Sequence, residues 1–284
     1  MVKKAVLAMK YYLFPKNFQH YSMEQLMDST AKMGFDGPTA LIRDGYWISR
    51  TDAKNDLPAY VKAAQARGLS VKYGSADLNM ETLLTQKEPL DLLKCFAANG
   101  VEQVRMQYMG KQKGEDVRAY KERFTRMAEN AAEAGHLAGL QCVVQLHGYF
   151  YPHNATAAYE CVKNCDPTYL GIKMDPGNNV CQEGFELYWY QIGLLGEYLA
   201  ALGAKDVGYF RSGDPNDHNK GWYQRWLPAH EGMINYKDVF TWLNEASFNG
   251  PVIAMPFYEA ESDEAMEATV AKELAYFKSC NGGE

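Results

Sequence analysis

Short apolar runs alternate with helical patterns eight times along the chain. The runs cover Val2–Met9, Thr39–Ile42, Leu69–Tyr73, Val101–Met106, Cys142–Leu146, Leu170–Met174, Val207–Phe210 and Val252–Met255. Each gives way to polar or charged residues and then to a stretch with helical spacing. Unbroken apolar runs of about five residues suit strands covered on both faces, as in a parallel sheet with crossover helices. Eight such units in 284 residues predict a single (β/α)8 barrel over residues 1–284. In that architecture chemistry stands at the C-terminal ends of the strands.

Capping signals place the helices. Ser22 with Gln25 three residues on predicts a start, and Gly34 the stop, of the first helix. The second is expected over Leu57–Arg67, and the third from Glu81 to Asn99-Gly100 with a break at Pro89. The fourth, Val117–Leu137, is the longest, and the others begin after Asn154, near Gly184-Phe185, near Asn235 and near Ser262. Gly34, Gly68, Gly100 and Gly250 each stand just before a predicted strand, which makes the αβ links short. The βα connections are longer and richer in aromatics. The longest, about 212–234, joins strand seven to helix seven, carries Trp222, Tyr223 and Trp226, and reads as a lid.

Composition narrows the partners. A net charge of −6 without a basic cluster argues against nucleic acid. The first nine residues mimic a signal peptide, but Lys10 and two tyrosines interrupt it, so they read as strand one. Since no run of about eighteen apolar residues occurs, no membrane span is expected. Six cysteines without a CxxC pair read as reduced thiols, Cys161 and Cys165 among them, which suits a cytoplasmic protein.

Strand parity then groups the polar residues at the expected barrel mouth. If Asp175 points inward, Lys173 does too. Gln145 and His147 pair the same way on strand five, and Tyr209 and Arg211 on strand seven. Arg105 and Lys72 are candidates to join them. Charged groups inside a barrel are costly unless paired, so such convergence points to function. Tyr11, Trp47, Trp222, Trp226 and Tyr258 follow strand ends, where aromatic faces suit the C–H faces of a sugar. The histidines His20, His153, His218 and His230 fall in loops.

Val143-Val144-Gln145-Leu146-His147 resembles the strand-five Glu-x-His motif of the xylose-isomerase-like, sugar phosphate isomerase/epimerase TIM barrels. Met174-Asp175-Pro176-Gly177-Asn178 is similar to their strand-six ending. Val207–Asp214 resembles their strand seven, which ends His-x-Lys-Asp, and Leu227–Ile234 the turn into helix seven. The resemblance implies a divalent metal held by Glu, Asp, His and Glu. Those positions carry over onto Gln145, Asp175, Arg211 and Met255, where only Asp175 keeps the family residue. Arg211 has no lone pair to offer, and a thioether suits a hard cation poorly. No cofactor is therefore expected, and a retained divalent metal would point to Asp175 and His147, with Glu259 reaching back from the following loop, as replacement ligands.

The resemblance implies an isomerase or epimerase acting on a sugar or polyol-derived ketone. Proton transfer beside a carbonyl needs a base and an oxyanion stabiliser. His147 or Asp175 is the expected base, Arg211 and Lys173 the stabilisers, and Gln145 the positioning group. Arg211 is expected to pair with Asp175. A lyase or dehydratase on a similar substrate, or a non-catalytic sugar-binding or partner subunit, stays open, as does a homo-oligomer.

Overall fold

The computed structural model describes residues 9–182, 184–216 and 219–282. Most of the run Val2–Met9 lies outside them, and the strand that enters the sheet is β1, Tyr11–Leu13. In chain order there follow α1 (Met23–Met33), β2 (Gly37–Pro38), β3 (Ala40–Leu41), α2 (Ala53–Gln65) and β4 (Tyr73–Ser75). Next come α3 (Lys87–Ala98), β5 (Gln103–Arg105), α4 (Val117–Ala138), β6 (Gln141–Gln145), α5 (Ala155–Val162) and β7 (Leu170–Met174). The last part holds α6 (Pro176–Cys181), α7 (Tyr188–Leu195), β8 (Leu199–Ala204), β9 (Asp206–Arg211) and β10 (Trp222–Leu227). It ends with α8 (Tyr236–Glu245), β11 (Val252–Ala254) and α9 (Asp263–Cys280).

Nine of these strands form one parallel sheet, in the order β2-β1-β11-β8-β7-β6-β5-β4-β3. Its two edge strands are halves of one strand around Thr39, whose N–H bonds Leu13 O at 2.8 Å while Ile42 N–H bonds Ser75 O at 2.9 Å. The sheet therefore closes on itself as an eight-stranded barrel. Tyr12, Tyr73, Val143, Ala201, Ile253 and Met255 pack together as one buried cluster, separate from the larger core. The expected caps form: Ser22 and Gln25 bond reciprocally, Gly34 takes φ 86°, and Asn154, Asn235 and Ser262 each cap a helix.

The seventh barrel strand is a correction. It is Leu199–Ala204, fully buried, whereas Val207–Phe210 lies in β9. Strand β9 leaves the barrel and pairs antiparallel with β10, from Asp206↔Leu227 to Arg211↔Trp222. Leu-Ala-Ala-Leu-Gly-Ala is built of strong helix formers and one glycine and holds no β-branched side chain. Lys173 Cε leaves no room for a side chain at 203, so packing and not propensity makes it a strand. The long connection expected at 212–234 is thus largely a β-hairpin.

Asp206 fixes where this hairpin leaves the barrel. Its buried carboxylate accepts N–H bonds from Val207 (2.7 Å), Met233 (2.9 Å) and Ile234 (3.2 Å). A Cβ at Gly232 would stand 2.0 Å from the Asp206 Cγ, so the turn closes over the carboxylate only with glycine there. Replacing Asp206 with Ala orphans these buried donors and should cost about 2–4 kcal/mol, read as a lower urea midpoint. An unchanged midpoint would show that the turn does not rest on this carboxylate.

Candidate active site at the strand ends

The ends of β6, β7 and β8 bring four polar residues into one buried cluster around Asp175. The Asp-Pro-Gly-Asn sequence after β7 forms the short helix α6, with Asp175 as its own cap and Pro176 in the first turn. Asp175 is wholly buried, and its Oδ1 accepts the Asn178 N–H at 2.9 Å. Gln145 Nε2 donates to Oδ2 at 2.5 Å, and the Lys205 ammonium stands 3.4 Å from the same oxygen. Lys205 also donates to Asn178 Oδ1 at 2.6 Å, while Asn178 Nδ2 holds Leu146 O. A carboxylate so surrounded is affordable in the core because each oxygen has a donor.

Lys173 shares this interior, as strand parity predicts. It is 1% exposed, its Nζ lies 3.4 Å from Met255 Sδ, and it stands 5.4 Å from the Tyr73 ring centre. A Cβ on Gly203 would come within 2.6 Å of Lys173 Cε and 3.2 Å of Asp175 Oδ2. Lys173 therefore fills the space that a side chain at 203 would take. Burial pushes its ammonium down to about 7, against the pull of Asp175, with Arg105 and Lys205 adding to the depression.

Arg105 borders the same cluster. It donates to Ser75 Oγ (3.1 Å), Met106 O (2.8 Å) and Asp77 Oδ1 (2.6 Å), with its guanidinium 4.9 Å from the Tyr108 ring. Burial alone would raise the Asp77 carboxyl, but Arg105 and Arg43 outweigh it and hold it below the usual range. Arg105 is thus already committed to protein partners. His147 is half-buried beside Tyr108, 4.6 Å between rings, with Phe150 at 5.1 Å. Burial pushes it down to about 4, and the Lys205 charge adds to this while Asp175 opposes it. At neutral pH it is an uncharged imidazole.

Aromatics roof the cluster. The Lys205 Nζ lies 4.4 Å from the Trp226 ring centre and 5.0 Å from that of Phe257. Two clefts flank β10 above it. One of about 680 Å³ is lined by Trp226, Pro228, Phe257 and the exposed Glu259. The other, about 660 Å³, is lined by Tyr149, Gln182, Trp222 and Tyr223, and Gln224 borders both. Gln182 links the second cleft to His147, its Nε2 3.4 Å from the imidazole Nε2.

Several expected site residues fall elsewhere. Arg211 is exposed at the tip of β9 and does not pair with Asp175, whose cation is Lys205. Tyr11 packs outward on Phe240, and Trp47 packs on Tyr60 and donates to Tyr21 O. The Tyr258 hydroxyl donates to the buried Glu273, while Lys72 bonds Glu102 at the opposite end of its strand. His20 pairs with Asp263, and His218 lies outside the described residues. Trp222 lines a cleft and Trp226 the roof. Lys205, Asn178 and Gln182 were not anticipated. The signal for Lys205 was the Lys205-Asp206 pair that ends the run Leu199–Ala204.

A family model of the xylose isomerase-like TIM barrel matches residues 27–280. The chain belongs to that family. Among solved structures, D-psicose 3-epimerase in the presence of D-fructose superposes with a TM-score of 0.73 at 15% identity, over 97% of this chain and 100% of that one. The probable 3-DHS dehydratase involved in petrobactin synthesis from Bacillus anthracis gives 0.67 at 14% identity, over 94% and 99%. A xylose isomerase-like TIM barrel protein from Mycobacterium smegmatis in complex with magnesium gives 0.66 at 16%, over 96% and 97%. No curated protein matches the chain.

With Leu199–Ala204 as the seventh barrel strand, the resemblance to the family's His-x-Lys-Asp ending moves from Arg211–Asp214 to Gly203-Ala204-Lys205-Asp206, which implies Gly203 at the histidine position. The ligand positions it implies are then Gln145, Asp175, Gly203 and Met255, with the Lys173 Nζ 3.4 Å from the last. One carboxylate, one carboxamide, a thioether and no fourth side chain, with an ammonium among them, do not fit a hard divalent cation.

Burying Lys173 should be visible in the stability. Its folded value lies below its unfolded one, so the unfolded chain binds more protons between about pH 7 and 10 and the penalty is full below pH 7. Lys173→Met should therefore stabilise the protein by about 1–3 kcal/mol at pH 6, less than the full shift because local relaxation around the ammonium softens its burial. The gain should shrink toward pH 10. Urea denaturation of both proteins at the two pH values checks it, and a gain independent of pH would contradict the assignment.

Proposed function

We propose that the protein is a sugar isomerase or epimerase, working on a sugar or sugar-derived ketone by proton transfer beside the carbonyl. The observation that carries this reading is the pair Lys173 and Lys205 around Asp175, at the strand ends where family members place their chemistry. Two ammonium groups beside one carboxylate leave a positive excess in a water-poor space whenever Lys173 is protonated. Such a space stabilises negative charge developing on a carbonyl oxygen, the work the divalent metal does elsewhere in the family. Membership of the family and neighbours named as epimerases support the substrate class.

His147 is the base in this reading. It is uncharged at neutral pH, half open to the mouth, and held by Tyr108 and Phe150. Asp175 is occupied by Gln145, Asn178 and Lys205, so it fixes the cations and Gln145 positions it. Access requires the β9–β10 hairpin and the Trp226–Phe257 roof to lift, which makes the hairpin a lid. An elimination on a similar substrate shares the same carbanion, so a dehydratase is the second reading, supported by the dehydratase-named neighbour.

The test is exchange of the proton beside the carbonyl into deuterated water, followed by NMR over a panel of ketoses and keto-sugars. Exchange should occur with at least one of them, and chelation should leave its rate unchanged. His147→Gln should lower it about 10²–10⁴-fold while sugar affinity holds. Loss on chelation with recovery on adding manganese or magnesium would overturn the metal-free mechanism. Binding without exchange for every ligand would overturn the enzyme reading in favour of a binding protein.

A further inference from the structure

We propose that Lys173 captures its substrate covalently, forming a Schiff base with the carbonyl carbon of a hydroxy-aldehyde or hydroxy-ketone. The inference rests on the preceding reading of the site and gives one residue a different role. Four features of the geometry point to it. The amine lies inside the barrel at the height of the strand ends, where Gly203 leaves a space its own side chain would otherwise fill. Its Nζ has Met255 Sδ at 3.4 Å and the face of Tyr73 at 5.4 Å, neither of which neutralises it. Strand register shifts between Ile172 and Lys173, which pair with Leu199 and Ala201, so an irregularity sits beside this residue; such irregularities re-aim side chains near active sites. Charged groups from three strand ends face it: Asp175 after β7, Lys205 after β8 and Arg105 on β5.

The apolar walls and the two neighbouring cations favour the neutral amine. A lysine desolvated beside another cation is the recognised setting for an amine nucleophile. The step needs only a proton from solvent, which is returned when water releases the product. The nitrogen lone pair bonds to the carbonyl carbon as the C=O π pair moves to oxygen; one proton from the amine and one from solvent pass to that oxygen, the C–O bond breaks, water leaves, and the iminium keeps the remaining N–H. That iminium draws electrons from the adjacent C–H bond; the base takes the proton and an enamine forms. Return of the proton to either face regenerates the iminium, and water releases the product. Because nitrogen stays on the original carbonyl carbon, the scheme serves epimerisation or loss of a neighbouring hydroxyl. It does not serve migration of the carbonyl, which separates epimerase and dehydratase from aldose–ketose isomerase.

Reductive trapping of the full-length protein tests it, with dihydroxyacetone as the probe and cyanoborohydride at neutral pH. Peptide mapping should place one reduced adduct per chain on Lys173, formed at least tenfold faster than on the surface lysines. Lys173→Met should lose this fast adduct while keeping its fold, and Lys205→Met should retain an adduct on Lys173. Labelling spread over surface lysines with Lys173 unmodified overturns the covalent step. If exchange into deuterated water persists in that case, the proton-transfer reading survives alone. A specific adduct on Lys173 without exchange on any sugar keeps the covalent step and removes the proposed function.

Discussion

Everything at the mouth of this barrel depends on how one buried carboxylate is neutralised. Asp175 lies at the end of β7 with no exposure to water, where an unpaired charge would be untenable. It is held by the N–H of the helix it caps, by the Gln145 carboxamide and by the Lys205 ammonium. Each partner comes from a different segment, so the carboxylate ties β6, α6 and β8 into one unit. Removing either charge from such a pair leaves the other buried and unpaired, which costs more than the pair contributes. The site and the local fold are therefore the same structure.

Lys173 is the second constraint. The barrel admits it because β8 has glycine at 203, where a Cβ would come within 2.6 Å of Lys173 Cε. The small residues let two cations approach one anion inside a space closed by Trp226 and Phe257. The family resemblance implies a hard cation in that region, where the ammonium groups of Lys173 and Lys205 stand in this chain. The polar cluster and the small-residue strand explain each other, since a larger residue at 203 would exclude Lys173.

The hairpin β9–β10 adds a different element. It leaves the barrel directly after Asp206, whose carboxylate fastens the turn that returns the chain to the body. Beyond that anchor β10 stands between two clefts and turns Trp222, Tyr223, Gln224 and Arg225 largely to solvent. An element held at its base and exposed at its tip suits a cover that moves as one piece.

Periodicity and capping chemistry alone were enough for the eightfold repeat, most helix ends and the pairing of Gln145, Lys173 and Asp175 on one interior. These follow from local rules: buried parallel strands read as apolar runs, Ser22, Asn154 and Ser262 supply oxygens to free N–H groups, and side chains alternate along a strand. The tertiary structure alone decided which segment becomes the seventh barrel strand. Val207–Phe210 has the stronger local preference for a strand and does form one, but in the hairpin. Leu199–Ala204 enters the barrel because only small side chains fit beside Lys173 and Tyr73, a constraint set by residues distant in the chain. That single displacement moved the cation beside Asp175 from Arg211 to Lys205. It also sent Tyr11, Trp47 and Tyr258 to packing roles, since following a strand end in sequence does not say which way a loop then turns.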